Sequence, residues 1–408
     1  MLKTLPIILF LAGYGGTAMA GPPDLPVRPG DFWLGGEASA VPAPQPADAV
    51  RFDSLAALTE HALRTRSDAR AAWFGIQAEA DRLDAARADN WPTLTGQISF
   101  TRSQALSSSG ASVPVLHRYG PSLSLAYVLY DFGARAAGIE AQRYQLVSAL
   151  LAGNRTLQDI VSEVEAAYHA QVAAHGALDA QNEQVASLAE SEKAVQVRLE
   201  GGLASRADML RARASRVEAE LARDAAVRDL AKAEAALKQA AGIAQTQTLM
   251  LDWPRVVPPD LDAALLLADL LAEAERQRPD LRALRASAAA ARSEAERARA
   301  ARWPSLALTG NTGRTFFLED GRTPSTTYSI GLNLSIPLFD GGRLAAQARA
   351  AERDAERLAA QADAQRDTVA LDVTQAWQDA QYAQTARAGV AVQYESAAES
   401  ARAAEARY

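Results

Sequence analysis

The chain carries the same unit twice, about 210 residues apart, and each copy joins long helical stretches to a short β-hairpin. Trp91-Pro92-Thr93-Leu94 returns as Trp303-Pro304-Ser305-Leu306, and Leu129-Tyr130-Asp131-Phe132-Gly133 returns as Leu338-Phe339-Asp340-Gly341-Gly342. Arg66-Ser67-Asp68 likewise pairs with Arg278-Pro279-Asp280. A period that long lies outside the solenoid repeats and points to a two-fold internal architecture. A lone hairpin is marginal in water, so both hairpins need partners.

The helices of each unit are too long for a globule. From Ala134 to about Leu199 there is no proline, and Gly138, Gly153 and Gly176 are the only glycines. Good helix formers dominate, and such a stretch extends roughly 100 Å at 1.5 Å per residue. It must pack sideways on other long helices. After Gly201-Gly202 the pattern resumes from Ser205 to Ala241, with Ser205 and Asp208 spaced as a capping box and Gly242 as the C-terminal cap. An antiparallel pair results, with Leu203 at its tip. In the second copy Leu261 to Arg302 mirrors Phe52 to Asn90, and Arg343 to Tyr408 mirrors Ala134 to Leu199. Ile160, Val164, Ala167 and Val172 recur at helical spacing, as do Val369, Val373, Ala376 and Ala380. A coiled-coil rod would also explain these helices, but not the hairpins.

In the hairpins the period changes to two, the strand signature. Tyr328, Ile330, Leu332, Leu334, Ile336 and Leu338 share one face, with Ser329, Gly331, Asn333 and Ser335 on the other. In the first copy Leu94, Ile98 and Phe100 alternate with Thr95, Gln97, Ser99 and Thr101, and Leu123, Leu125, Tyr127 and Leu129 then share a face. Strands of about ten residues fit a tilted membrane crossing. The apolar face is then expected to meet lipid and the polar face a wet lumen; a soluble sheet covered by helices gives the same alternation. Four strands leave two edges, which hydrocarbon does not tolerate, and barrels begin at eight strands. Two copies would give eight strands and three would give twelve; an open bore favours the larger number. Between the strands, Ser103 to Leu116 and Gly313 to Thr326 read as polar loops on the far side of the membrane.

The amino terminus reads as a secretory signal over residues 1–20, with Lys3, an apolar run from Leu5 to Leu11 and Ala18-Met19-Ala20 before Gly21. The alternative is a buried N-terminal strand. Residues 21–50 are proline-rich and read as an extended arm. The remaining boundaries are a first repeat over 52–245, a linker over 246–260 and a second repeat over 261–408. With no cysteine, the chain has neither disulfides nor a lipid-anchor site. A net charge of −7 argues against a nucleic-acid partner.

Duplicated helix–hairpin–helix units, Trp-Pro-x-Leu before a strand, and Leu338-Phe339-Asp340-Gly341-Gly342-Arg343 after one resemble the TolC-type outer membrane factors. Arg198 to Leu210 resembles that family's helix-hairpin tip, and the resemblance runs from Phe52 to Tyr408. It implies a mainly α fold with a small membrane β-part: a homotrimer with a twelve-stranded barrel in outer-membrane lipid above a periplasmic α-helical tunnel. It further implies an exit duct that meets a periplasmic adaptor protein and an inner-membrane exporter. By that correspondence Gly202, Leu203, Ser205 and Asp208 are candidate adaptor-facing residues; Gly202 and Ser205 also serve simply as turn and cap. Lacking an anchor cysteine, the chain resembles type I secretion ducts, the class that exports adenylate cyclase toxin and haemolysin with an ABC-type exporter. The alternatives are a drug or metal efflux duct of a proton-driven pump, and a non-channel coiled-coil surface or spacer protein. Tyr408 aligns with Leu199, so the second copy is expected to lack its tip and returning helix, and with them part of the family's aperture gate. The chain therefore reads as a fragment or a truncated product.

No catalysis, metal or cofactor is expected. Asp131-Phe132-Gly133 matches a kinase triplet without the accompanying motifs, and its partial repetition as Asp340-Gly341-Gly342 favours a strand-to-helix turn. His169 and His175 are spaced off a common helical face.

Overall fold

The structure, a computed structural model, describes residues 49–104, 115–251, 266–319 and 321–405. The expected leader, nearly all of the arm, most of the linker and most of the Ser103–Leu116 loop lie outside the described residues. The chain divides into two compact units. In the smaller, made of Met1–Val50 and Thr246–Thr248, the Val50 amide donates to the Thr248 carbonyl at 3.0 Å. The larger, Arg51–Gln245 with Leu249–Tyr408, carries all the elements discussed below.

Its order is α1 (Leu55–Thr65), α2 (Ser67–Ala88), β1 (Thr93–Ser103), β2 (Leu116–Tyr130), α3 (Ala134–Glu200), α4 (Arg206–Ala240), α5 (Leu267–Gln277), α6 (Pro279–Ala300), β3 (Ser305–Phe317), β4 (Ser325–Ser335) and α7 (Arg343–Glu405). The two repeats follow the same element order, up to the pair α3–α4 in the first and α7 in the second. The four strands form one antiparallel sheet in the order β1-β2-β3-β4, so the hairpins join through β2 and β3. All helix connections leave one end of this sheet, and both hairpin turns lie at the other. The second turn is tighter than the sequence suggests: half of the polar stretch from Gly313 to Thr326 is strand, leaving a connection between Phe317 and Ser325.

Long helices pack on long helices. Ile160, Val164, Tyr168 and Gln171 are buried along α3, and Leu58 of α1 and Leu237 of α4, helices that pack on it, are buried as well. Of the spaced positions read in the second copy, Val369 is buried, whereas Ala376 is exposed. Helix α6 lies between α3 and α7 and buries mostly alanine, so the backbones approach closely. Its counterpart α2 packs on α3 and buries only Leu83, leaving Trp73 and Phe74 58% and 59% exposed.

The mirrored stretches 52–90 and 261–302 each hold two helices, separated at Arg66 (ψ 135°) and Arg278 (ψ 119°). Arg278 precedes Pro279, whose ring disfavours helical backbone in the residue before it. Arg66 has no proline after it, and its side chain holds the bend instead. Its guanidinium donates to Asp68 and to Glu163 of α3, both at 2.5 Å, and to the Ala240 carbonyl at 3.3 Å. Arg278 repeats the clamp with Asp280 at 2.7 Å and Asp372 of α7 at 3.0 Å. The side chains of both arginines are mostly buried.

Each strand-to-helix junction uses an aspartate as an acceptor for the first helical amides. Asp131 accepts from the Gly133 and Arg135 amides at 3.3 and 3.0 Å, and Asp340 from the Gly342 and Leu344 amides at 2.9 and 2.7 Å. The turn runs through left-handed backbone. Gly341 and Gly342 supply it in one copy, whereas Phe132, at φ 52°, replaces the first glycine in the other. A bulky residue there is strained, and the Phe132 ring stacks on Trp303 of the second repeat with centroids 5.6 Å apart.

Because only Arg278 has a proline to fix its bend, Arg66→Ala should lower the thermal midpoint of the detergent-solubilised protein more than Arg278→Ala. The loss at Arg66 should be about 1.5–3 kcal/mol, the worth of hydrogen bonds to charged groups. Equal losses, followed by circular dichroism at the helical band, would contradict this.

Candidate functional site

Two surfaces are built with unusual care, the faces of the sheet and the tip of the α3–α4 pair. Cross-strand register settles which strand residues share a face. Leu94 of β1 stands opposite Leu125 of β2, which stands opposite Gly310 of β3, which stands opposite Ile330 of β4. The neighbouring rows are Gly96, Leu123, Thr312 and Tyr328 on one side, and Tyr127, Leu308 and Leu332 on the other. Leu334 pairs with Leu306 on the same face. The opposite face carries Thr95, Ser124, Asn311 and Ser329 in one row, and Ala307 with Asn333 in another. Among the described residues the apolar face of β4 has no cover: Tyr328, Ile330, Leu332 and Leu334 are 86%, 74%, 67% and 59% exposed.

Three of the strand positions anticipated from sequence fall elsewhere. Ile336 and Leu338 lie beyond β4, which ends at Ser335, in the segment leading to the Asp340 turn. Pro337 lacks the amide a ladder needs. Leu129 sits where the register between β2 and β3 shifts, and Tyr130 rather than Leu129 comes opposite Leu306. A bulge adds one residue and reverses the alternation beyond it. Period two is blind to such a shift.

At the tip, α3 ends in a Schellman motif. Gly202 adopts φ 72°, its amide donates to the Leu199 carbonyl at 3.0 Å, and the Leu203 amide donates to the Arg198 carbonyl at 2.7 Å. Helix α4 opens with the expected capping box: the Asp208 amide donates to Ser205 Oγ at 3.2 Å, and the Ser205 amide to Asp208 Oδ2 at 3.0 Å. Hydrogen bonds from the Ser205 hydroxyl and amide hold the Asp208 carboxyl below its ordinary range. Arg216 of α4 ties the pair together behind the tip by bridging Glu192 of α3 and Glu220.

The far end of α4 carries the same motif with a different outcome. There Gly242 has φ 71°, the Ile243 amide donates to the Lys238 carbonyl at 2.8 Å, and the Ile243 side chain is buried. An apolar residue at this position normally packs back on its helix. Leu203, in the equivalent position, is 83% exposed. Hydrogen bonds close both helix ends at the tip, and the Leu203 side chain is left exposed.

The fold places long helices at one end of a four-stranded sheet whose apolar face is uncovered along β4 among the described residues, and comparisons with known proteins agree. The family model described as outer membrane efflux protein matches residues 58–243 and 270–408. The chain belongs to that family. Protein CyaE of Bordetella pertussis is 31% identical over 344 residues, 83% of this chain and 71% of that one. The solvent efflux pump outer membrane protein SrpC of Pseudomonas putida is 27% identical over 324 residues, 77% and 67% of the two chains. The alkaline protease secretion protein AprF of Pseudomonas aeruginosa is 30% identical over 251 residues, 59% and 50%. Among solved structures, the outer-membrane channel OprN superposes with a TM-score of 0.71 at 22% identity, covering 82% of this chain and 78% of that one. The protein is therefore an outer-membrane channel component with a periplasmic helical part and a β-barrel part, and not an enzyme.

A charge on the apolar face should hurt and one on the polar face should not. Ile330→Arg is expected to impair membrane insertion, since a lipid-facing charge at mid-membrane costs roughly 2–4 kcal/mol, while Asn333→Arg leaves it near normal. Heat-resistant oligomer in outer-membrane fractions measures both; equal defects would contradict the assignment of faces.

Proposed function

We propose that the protein is the outer-membrane exit duct of a tripartite export system, assembled as a homotrimer, and that its cargo is protein exported by type I secretion. The observation that carries the duct is the sheet itself. Its four strands end in two unpaired edges, β1 and β4, and hydrocarbon demands that both be closed. Three copies pooling four strands each give a twelve-stranded barrel, with Tyr328, Ile330, Leu332, Leu334, Leu123, Leu125 and Tyr127 toward lipid. The Thr95, Ser124, Asn311 and Ser329 face then lines the bore. Helix α2, exposed through Trp73 and Phe74, offers each subunit an apolar edge for its neighbour.

The tip is the docking point for a periplasmic adaptor protein. Leu203 is the anchor, Gly202 shapes the turn that presents it, and Ser205 with Asp208 fixes the start of α4. An inner-membrane exporter of ABC type supplies the energy. Protein cargo is favoured by the similarity to AprF, whose name specifies alkaline protease secretion. The similarity to SrpC, over a larger share of this chain, favours a second reading, solvent or drug efflux.

Full-length protein reconstituted in planar bilayers should raise the conductance in discrete steps. Leu203→Asp should leave those steps unchanged while reducing export by at least about tenfold in cells carrying the native partners, as expected for losing one buried apolar anchor. A silent bilayer would overturn the duct, and normal export by Leu203→Asp would remove the tip from its mechanism.

A further inference from the structure

We propose that the outer rim of the sheet's apolar face binds the phosphate groups of the phosphorylated glycolipid that forms the outer leaflet, through Arg102 and Arg314. The proposal rests on that face meeting lipid. The rim is the end away from the helices, where both hairpin turns lie. Here the face changes character. Arg102 of β1 stands opposite His117 of β2, and the register that pairs Ser122 with Gly313 and Tyr119 with Phe316 sets Arg314 of β3 level with Pro121. Arg314 also stands opposite Thr326 of β4. Both arginines therefore share the face of Leu125 and Ile330.

Their height explains why charge is tolerated. From Leu334 to the level of Arg314 is eight residues, roughly 27 Å along the strand and about 20 Å of rise at the usual tilt. Arg314 thus stands near the top of an apolar band about 25 Å tall, and Arg102 beyond it. A guanidinium there leaves the hydrocarbon and reaches the headgroups. Arg314 lies over the ring of Phe316, 5.3 Å from its centroid, and Phe316 stacks on Tyr119 at 5.4 Å. The aromatic row holds this guanidinium at the rim.

Charge complementarity identifies the ligand. Both arginines are exposed, and neither makes an ion pair among the described residues. The nearby acid, Glu319, is already engaged: it accepts from the His117 amide at 2.7 Å and contacts His117 Nδ1 at 2.9 Å. Arginine matches phosphate through its fork of donors. The two side chains rise from strands roughly 10 Å apart across the sheet and 13 Å along it, so each takes a separate phosphate. On the opposite face Arg118 donates to Ser103 Oγ at 2.9 Å and looks into the bore.

Full-length protein in detergent with EDTA can be titrated with bisphosphorylated lipid A and with the same lipid stripped of phosphate. The native protein should prefer the phosphorylated form about thirtyfold, at about fivefold per arginine near an anionic surface. Arg314→Gln or Arg102→Gln should each cut that preference about fivefold, the double variant should abolish it, and Arg118→Gln should leave it unchanged. Equal affinity of native protein for the two lipids would overturn the proposal, as would a loss in Arg118→Gln matching that in Arg314→Gln. Conductance of the double variant in bilayers free of glycolipid should equal the native value. A native protein that fails to conduct yet keeps the preference would overturn the duct and leave the glycolipid site standing.

Discussion

Backbone amides and carbonyls on the outer edges of β1 and β4 have no partner within the sheet. In water such edges are merely a hazard for aggregation; in hydrocarbon each unpaired group costs several kcal/mol. That cost decides the assembly. A single chain cannot roll four strands into a barrel with a filled or open interior, so closure must come from other copies. In the proposed duct the bore and the lipid face follow from that one hydrogen-bonding requirement, and the width of an open bore then favours three copies.

The helical part answers a different problem, how to brace long helices that have little core. Much of the buried surface in α6 is alanine, and the stripe on α3 stops at Gln171, well before its tip. Fixed points substitute for bulk. The Arg66 and Arg278 clamps set where α1 meets α2 and where α5 meets α6, each reaching a long helix at an equivalent turn through Glu163 or Asp372. Asp131 and Asp340 set how each long helix leaves the sheet. Duplicated sequence becomes duplicated bracing, and the departures from symmetry are informative: α6 is enclosed where α2 is open, and Phe132 replaces a glycine in order to reach Trp303.

The duplication, the long helices, the capping box at Ser205 and Asp208 and the apolar faces of the strands were all legible in the sequence, because each is local or periodic. What escaped was non-local. The break at Arg66 has no proline to announce it, and its cause, Glu163, is 97 residues away. The bulge that displaces Leu129 arises from how β2 must meet β3, a pairing between repeats that no hairpin pattern encodes. Ile336 and Leu338 keep the alternation past the last ladder bond, so period alone overran the strand. Leu203 was expected at an exposed tip, but its contrast with the buried Ile243 at the equivalent position was not. The arginine rim was hidden for the same reason, since Arg102 and Arg314 come to one face only through two registers.

Counting subunits probes the edge constraint most directly. Native mass spectrometry of full-length protein, released from detergent extracted from outer membranes, should give the mass of three chains, with no monomer until the detergent is made denaturing. A stable monomer that keeps its strand content under mild extraction would contradict the account.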